Sequence, residues 1–256
     1  MKDIDQVDLI DKSLLKIRGY VSKFPENKKV VVVFSGGLDS VSIVARCIID
    51  HDLEVYPISI IRGQSNLTGE AASVKFFNNY FLERFPRKYH PVTFLHVEIP
   101  PKELKDGIKE YSKNNGYPLR DNQLEIIALQ YAISLWEKEG EIKTIFTGVT
   151  KEDIYTHSSL LAMRSTTLMS CVSTPHNDWN ISSLNLDPYL YGDMKAFGKK
   201  EEIKWCFDHS IPIEKSRTCN NATPRHCGAC SSCDKRRKAF EAAEVPDNTT
   251  YLQNNS

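Results

Sequence analysis

What this sequence lacks narrows its function before any motif is read. No apolar run approaches the length of a bilayer span, so no transmembrane helix is expected. The first residues, "MKDIDQVDLIDKSLLK", are acidic and have no apolar core, so no secretory leader is readable and a cytoplasmic location is expected. Charge of one sign is not in excess, because 33 basic residues balance 33 acidic ones. That balance argues against broad, sequence-blind nucleic-acid binding and leaves room for a small basic pocket. Neither a G-x-x-x-x-G-K-[ST] loop nor a G-x-G-x-x-G turn is present, and no internal repeat is visible.

What is there reads as an ordinary globular chain. With 256 residues, 41% of them hydrophobic, it can bury one sizeable core with a smaller appendage. Residues 4–22 carry Ile4, Val7, Ile10, Leu14, Ile17 and Val21 on one helical stripe. "KKVVVVF" reads as a strand buried on both faces, and Val41, Val44, Ala45 and Ile48 place a helix after it. "EVYPISI" reads as the next strand although Pro57 sits at its centre. A helix over 69–84, a strand "PVTFLHVEI", a long helix over 121–138 and a strand "TIFTGV" follow. Strands alternating with helices predict an α/β fold with a doubly wound, mostly parallel sheet. Residues 150–190 read as a short helix and then loop, "KKEEIKWCFDHSI" and "DKRRKAFEAAE" as helices, and "VPDNTTYLQNNS" as a frayed tail.

The stretch "VVVFSGGLDS" carries the first chemical signal. A buried strand that ends in Ser-Gly-Gly and opens a helix points several backbone N–H groups at one place. The helix N-terminus adds partial positive charge, and the hydroxyls of Ser35 and Ser40 can donate to phosphate oxygens. Asp39 is placed to orient a Mg²⁺ ion carried by a nucleotide. The plainer reading is a turn whose glycines only permit close packing.

The second signal is "CNNATPRHCGACSSC". Its C-x7-C-x2-C-x2-C spacing gives Cys219, Cys227, Cys230 and Cys233 as ligands for one tetrahedral Zn²⁺, with no position left open for a substrate water. The alternatives are a redox pair, Cys230 with Cys233, and four unliganded thiols. His226 could also serve as a ligand, although four cysteines suffice. Cys47, Cys171 and Cys206 are scattered.

"SGGLDS" matches the S-G-G-x-D-S signature of the PP-loop ATP pyrophosphatases. Over residues 28–251 the chain resembles the 7-cyano-7-deazaguanine synthases of that superfamily. "RGQ" stands where the family has Y-G-Q, and "YPLRDNQLEIIALQYA" resembles its V-P-x-R-N segment. "FTGVTKED" is similar to G-V-x-x-x-D, "KKEEI" to K-x-E-I, and "CGACSSCDKRRKAFEAAEVPD" to the zinc knuckle and tail. The resemblance implies a PP-loop/HUP-like sheet with a C-terminal zinc knuckle. It divides the chain into a helical extension (1–27), an ATP-binding α/β domain (28–198) and a C-terminal helix, knuckle and tail (199–256).

The activity implied is an ATP-dependent, AMP-forming amidation of 7-carboxy-7-deazaguanine, followed by dehydration of the amide to the nitrile. Ser35, Gly36, Gly37, Leu38, Asp39 and Ser40 would hold pyrophosphate and Mg²⁺, and Gln64 would line the pocket. Arg120 and Lys200 would stabilise charge on the phosphates or the carboxylate, and a homodimer is among the expectations.

Three features depart from the pattern. Asp121 follows Arg120 where the family has Asn, a Y-P-D-C-R-type run after Asp153 is replaced by "IYTHSSLLAMR", and the N-terminal helix is additional. The acceptor is therefore open between ammonia and a protein amine, the latter as in QueC-like proteins of bacterial antiphage systems. His157 reads either as a base for that amine or as an exposed loop residue. Thiolation of tRNA through a cysteine pair, and an ATP- and zinc-binding partner subunit without turnover, are the other classes weighed.

Overall fold

The computed structural model describes residues 2–191 and 196–252. Helix α1 (Lys2–Arg18) precedes β1 (Lys29–Val33), α2 (Leu38–Ile49), β2 (Glu54–Ile61), α3 (Leu67–Arg84) and β3 (Thr93–His96). The chain continues through α4 (Lys109–Asn115), α5 (Arg120–Ser134), α6 (Trp136–Glu139), β4 (Thr144–Phe146), α7 (Leu160–Ser173) and β5 (Asn180–Ser182). It closes with α8 (Pro188–Tyr191), α9 (Lys199–Asp208) and α10 (Ser231–Ala242). Among the described residues no helix is long and apolar enough to cross a membrane.

The strands pair in the order β3-β2-β1-β4-β5, and every neighbouring pair is parallel. This is the doubly wound sheet that the alternation predicts. Both faces of β1 are covered, which is why its sequence is an unbroken valine run. Val30 and Val32 point to one side, among side chains of α2, α3, α9 and α10. Val31 points to the other, with Leu14 of α1 and Ala128, Leu129 and Ala132 of α5. All three valines have 0% exposure, which stabilises the fold by about 1.5–3 kcal/mol each.

Pro57 sits mid-strand in β2, opposite Val32 of β1. Its tolerance follows from the parity of the ladder. The Val55 N–H donates to Lys88 O and the Ile61 carbonyl accepts from Val97, so odd-numbered residues of β2 face the β3 side. Pro57 therefore turns its missing N–H toward the segment just before β3 begins, where no ladder bond is lost.

Elsewhere the structure corrects the sequence reading. Residues 150–190 hold a fourteen-residue helix, α7, and a fifth strand, β5, where a short helix and loop are expected. The buried face of α7 is largely polar (Arg164, Thr166, Thr167, Ser170), so no apolar stripe announces it. Arg164, fully buried, pairs with both oxygens of Asp187 at 2.9 and 2.8 Å and with Asp11 of α1 at 2.9 Å. That network, with Leu14, docks α1. Ile17 stays 37% exposed, and the side chain of Ile4 lies outside the described residues. The tail is not frayed through residue 252. Val245 and Thr249 are buried, and Thr249 Oγ1 accepts from Arg236 Nε at 2.9 Å. Residues 253–256 lie outside the described residues.

Candidate active site

A parallel sheet of this order reverses its winding between β1 and β4, and ligands bind beyond the carboxyl ends of strands at such a reversal. A cavity of about 500 Å³ opens there. One wall is the turn after β1, with Ser35, Gly37, Leu38, Asp39 and Ser40. The segment after β2 supplies Arg62 and Gln64, the start of α5 supplies Arg120 and Asp121, and α9 supplies Lys199. Arg217, Lys235 and Arg236 of the C-terminal segment complete the lining.

The turn is built as an anion cradle. Gly36 has φ +70, and a Cβ there would lie 2.8 Å from Val74 N, so only glycine fits. Its carbonyl accepts from Arg217 N at 2.9 Å and from Ser73 Oγ at 2.7 Å, which ties it to α3 and to the C-terminal segment. Gly37 caps α2 without a side chain, leaving the first-turn N–H groups for a ligand. Ser35 Oγ and Ser40 Oγ stand 3.3 Å apart beside them. A Cβ on Gly148 would come within 2.9 Å of Ser40 N, so glycine there lets the β4 loop lie against the cradle. These free donors and hydroxyls suit the phosphates of ATP.

Asp39 is held by a lysine, but not by Lys200. Lys199 Nζ donates to both oxygens of Asp39, at 2.6 and 2.8 Å, and burial is outweighed by that carboxylate in keeping its pKa above the ordinary lysine range. Lys200 is exposed and does not line the cavity. The cause is helix register. Glu201 Oε2 accepts from the Gly198 N–H at 2.7 Å, so Glu201 is the third residue of α9 and Lys199 the first. Glu202 then falls on the inner face, fully buried, with Oε1 accepting from Asn185 at 2.8 Å. Burial and the neighbouring Asp39 push its pKa up.

Two departures from the family pattern meet in space. Asp121 Oδ1 pairs with Arg120 Nε at 2.7 Å, and Asp121 Oδ2 lies 3.2 Å from His157 Nδ1 and accepts from Ser158 Oγ. Burial alone would raise the Asp121 pKa. The His157 hydrogen bond and Arg120 overcome it and hold the carboxyl well below the usual range. His157 itself is 5% exposed, neither an exposed loop residue nor a lining residue of the cavity, and its Nε2 has no partner. One turn along α5, Glu125 is fully buried with both oxygens unpartnered, and burial pushes its pKa up to about 8. Gln64 accepts from Arg62 N at 2.9 Å and donates to Glu70 at 2.6 Å, so it shapes the wall beside the turn.

The four cysteines of the C-terminal segment converge, with all four sulfurs within 4.8 Å of one another. Cys219 and Cys230 are 3.9 Å apart and Cys227 and Cys233 4.0 Å, close to the roughly 3.8 Å that a tetrahedral zinc with four thiolates imposes. Backbone N–H groups of Ala229 and Cys230 point at Cys227 Sγ and lower that thiol's pKa. Burial raises Cys230, but the Asn220 and Cys233 amides outweigh it and bring it to about 6. This donor set suits zinc. His226 is turned away, its Nε2 3.2 Å from Thr218 N.

Lys199, Arg217, Arg236 and Glu202 are the residues that sequence reading missed. The G-K-K-E capping spacing could have given Lys199, whereas nothing local marks a lone arginine as buried against a cavity.

The 7-cyano-7-deazaguanine synthase of Methanobrevibacter smithii is 27% identical over 242 residues, covering 88% of this chain and 98% of that one. That of Methanosphaera stadtmanae is 25% identical over 235 residues, covering 87% and 98%. Among solved structures, the U34-tRNA thiolase NcsA of Methanococcus maripaludis superposes with a TM-score of 0.44 at 16% identity, over 96% of this chain and 73% of that one. The family described as queuosine biosynthesis protein QueC matches residues 29–244, nearly the whole chain, and the chain belongs to that family.

Proposed function

We propose that the chain is an ATP-dependent, AMP-forming ligase that activates the carboxylate of 7-carboxy-7-deazaguanine and amidates it, on the way to the 7-cyano-7-deazaguanine for which the synthases it is similar to are named. The observation that carries this reading is the uncapped first turn of α2 beside the Asp39–Lys199 pair, at the winding reversal of the sheet. Ser35, Gly36, Gly37, Leu38 and Ser40 receive the phosphates, and Asp39 would hold a Mg²⁺ that supplies counter-charge to them. Lys199 and Arg120 stabilise charge as a carboxylate oxygen attacks the α-phosphorus and pyrophosphate leaves. Ammonia then attacks the acyl carbon, AMP departs and an amide forms. A second ATP adenylates the amide oxygen, and loss of AMP with the amide protons gives the nitrile. Cys219, Cys227, Cys230 and Cys233 would hold a Zn²⁺ whose role would be structural, fastening the C-terminal segment against the cavity.

A second reading, coupling to a protein amine, is favoured by Asp121. A buried carboxylate, kept ionised by His157 and Arg120 and lining the cavity, would attract and orient a cationic amine. Under that reading the chain would sit with the antiphage-system ligases. Thiolation would need Cys230 and Cys233 free of the four-sulfur cluster. A homodimer rests on the resemblance alone and is read by sedimentation.

The test is incubation with Mg-ATP and 7-carboxy-7-deazaguanine, with and without ammonium, followed by mass spectrometry of nucleotides and products. Ammonium-dependent amide and nitrile support the first reading. AMP or a trapped adenylate without nitrile favours the second, and no pyrophosphate release with any carboxylate sinks both.

A further inference from the structure

Arg217 is a buried cation without an acid. Its residue exposure is 6%, and among the described residues no carboxylate lies within ion-pair distance of it. Nη2 donates to the carbonyls of Asn221 and Thr223 at 2.7 and 2.8 Å, which fixes the guanidinium plane, while Nε has no partner at all. Neutral carbonyls hold the fork in place but leave its charge uncompensated, an unfavourable arrangement unless a ligand supplies the counter-charge.

Two helix N-termini lie beside it. The Arg217 backbone N–H holds the Gly36 carbonyl, one residue before the uncapped Gly37 of α2. On the other side the guanidinium lies against Gly69 in the first turn of α3, where a Cβ would come within 2.5 Å of Nε. The α3 N-cap, Asn66, makes no side-chain cap either. The one acid of that turn, Glu70, is engaged by Gln64 at 2.6 Å and Asn66 at 2.9 Å. Two helix N-termini and an unpaired guanidinium thus converge on one side of the cavity, a field that suits a polyanion.

We propose that Arg217 is an anion-binding residue of this site and takes the pyrophosphate portion of the nucleotide together with the first turns of α2 and α3. This rests on the reading that phosphates occupy the cradle of Ser35 to Ser40. It adds a residue outside the S-G-G-x-D-S signature, and it makes the C-terminal segment a participant in phosphate binding as well as a wall.

The experiment is calorimetric titration of the full-length protein with inorganic pyrophosphate, and separately with Mg-ATP. Arg217→Gln is expected to weaken pyrophosphate binding at least tenfold, and Arg217→Lys less, because an ammonium keeps the charge without the fork. Gly69→Ala keeps every charge, and alanine suits a helix better than glycine, so weaker binding there reports displacement of the guanidinium. If Arg217→Gln does not fold, Gly69→Ala decides alone. Pyrophosphate bound as tightly by the variants as by the wild type overturns the role of Arg217 and leaves the nucleotide reading standing. A wild-type protein that binds neither pyrophosphate nor Mg-ATP overturns both.

Discussion

Replacing Lys199 with alanine is expected to abolish most activity, and replacing its neighbour Lys200 is not. Lys199 Nζ lies 2.6 Å from Asp39, and the two side chains are only 16% and 26% exposed. Its charge is therefore poorly screened, and hydrogen bonds between ionised groups in such a place are worth about 1.5–3 kcal/mol each. When the α–β bond breaks, negative charge grows on the departing pyrophosphate beside this ammonium. Loss of a fixed donor aimed at growing charge removes about 2.7–4 kcal/mol, roughly a hundred- to a thousandfold in kcat. Lys200 is exposed, and its removal should change the rate no more than about twofold, the scale of ordinary surface substitutions. Because its pKa is held above the ordinary lysine value of about 10.4, Lys199 stays charged through the neutral range, and the deficit should be flat from pH 6 to 9. The assay is pyrophosphate release from Mg-ATP with 7-carboxy-7-deazaguanine and ammonium at saturation. Equal losses in Lys199→Ala and Lys200→Ala, or a loss confined to Lys200→Ala, would refute the register of α9 described above.

Other expectations concern stability and metal. The protein should carry one zinc per chain by elemental analysis, and Cys227→Ala should lose the metal and melt at lower temperature; a metal-free protein with an unchanged melting point would sink the zinc centre. Asp187→Ala leaves the buried Arg164 with Asp11 alone and should destabilise the fold by about 3–5 kcal/mol in urea titration. A loss under about 1 kcal/mol would contradict the network. Glu125 is raised to about 8 from 4.5, so the folded state binds the proton more tightly than the unfolded one. Its contribution is complete below about pH 4.5 and is lost as pH rises through 8. Glu125→Gln should therefore flatten that fall, and identical stability-against-pH curves for variant and wild type would show that the carboxyl is ionised when folded.

Much of the sheet could be read from the sequence because its strands are simple. The valine run of β1 and the helical period after it leave few alternatives, and the turn between them carries its own chemistry in order. What escaped reading is held by polar contacts. The buried face of α7 is arginine, threonine and serine, so hydrophobic periodicity cannot find it, and β5 has only three residues. The Lys199 register turned on which of two consecutive glutamates closes onto Gly198, a choice made by backbone geometry. The pairing of Asp121 with His157 joins positions 36 apart in sequence, and only the fold shows that the two departures touch.

The cavity is assembled from distant parts of the chain, since the cradle begins at Ser35 while Arg217, Lys235 and Arg236 come late. A ribosome completes the sheet well before it completes the site. The nascent protein can pair its five strands, yet until the later residues emerge it lacks both α9 and α10 against Val30 and Val32 and the cavity's Arg217, Lys235 and Arg236. Competence to bind nucleotide would thus arrive last, and its arrival would depend on zinc supply at the moment of maturation. Under zinc depletion the chain would then be left with an unfinished site and with one face of the sheet short of the side chains that α10 supplies. Limited proteolysis should cut the segment after α9 faster in protein made under zinc depletion than in zinc-loaded protein, and equal resistance would argue that the wall closes without metal.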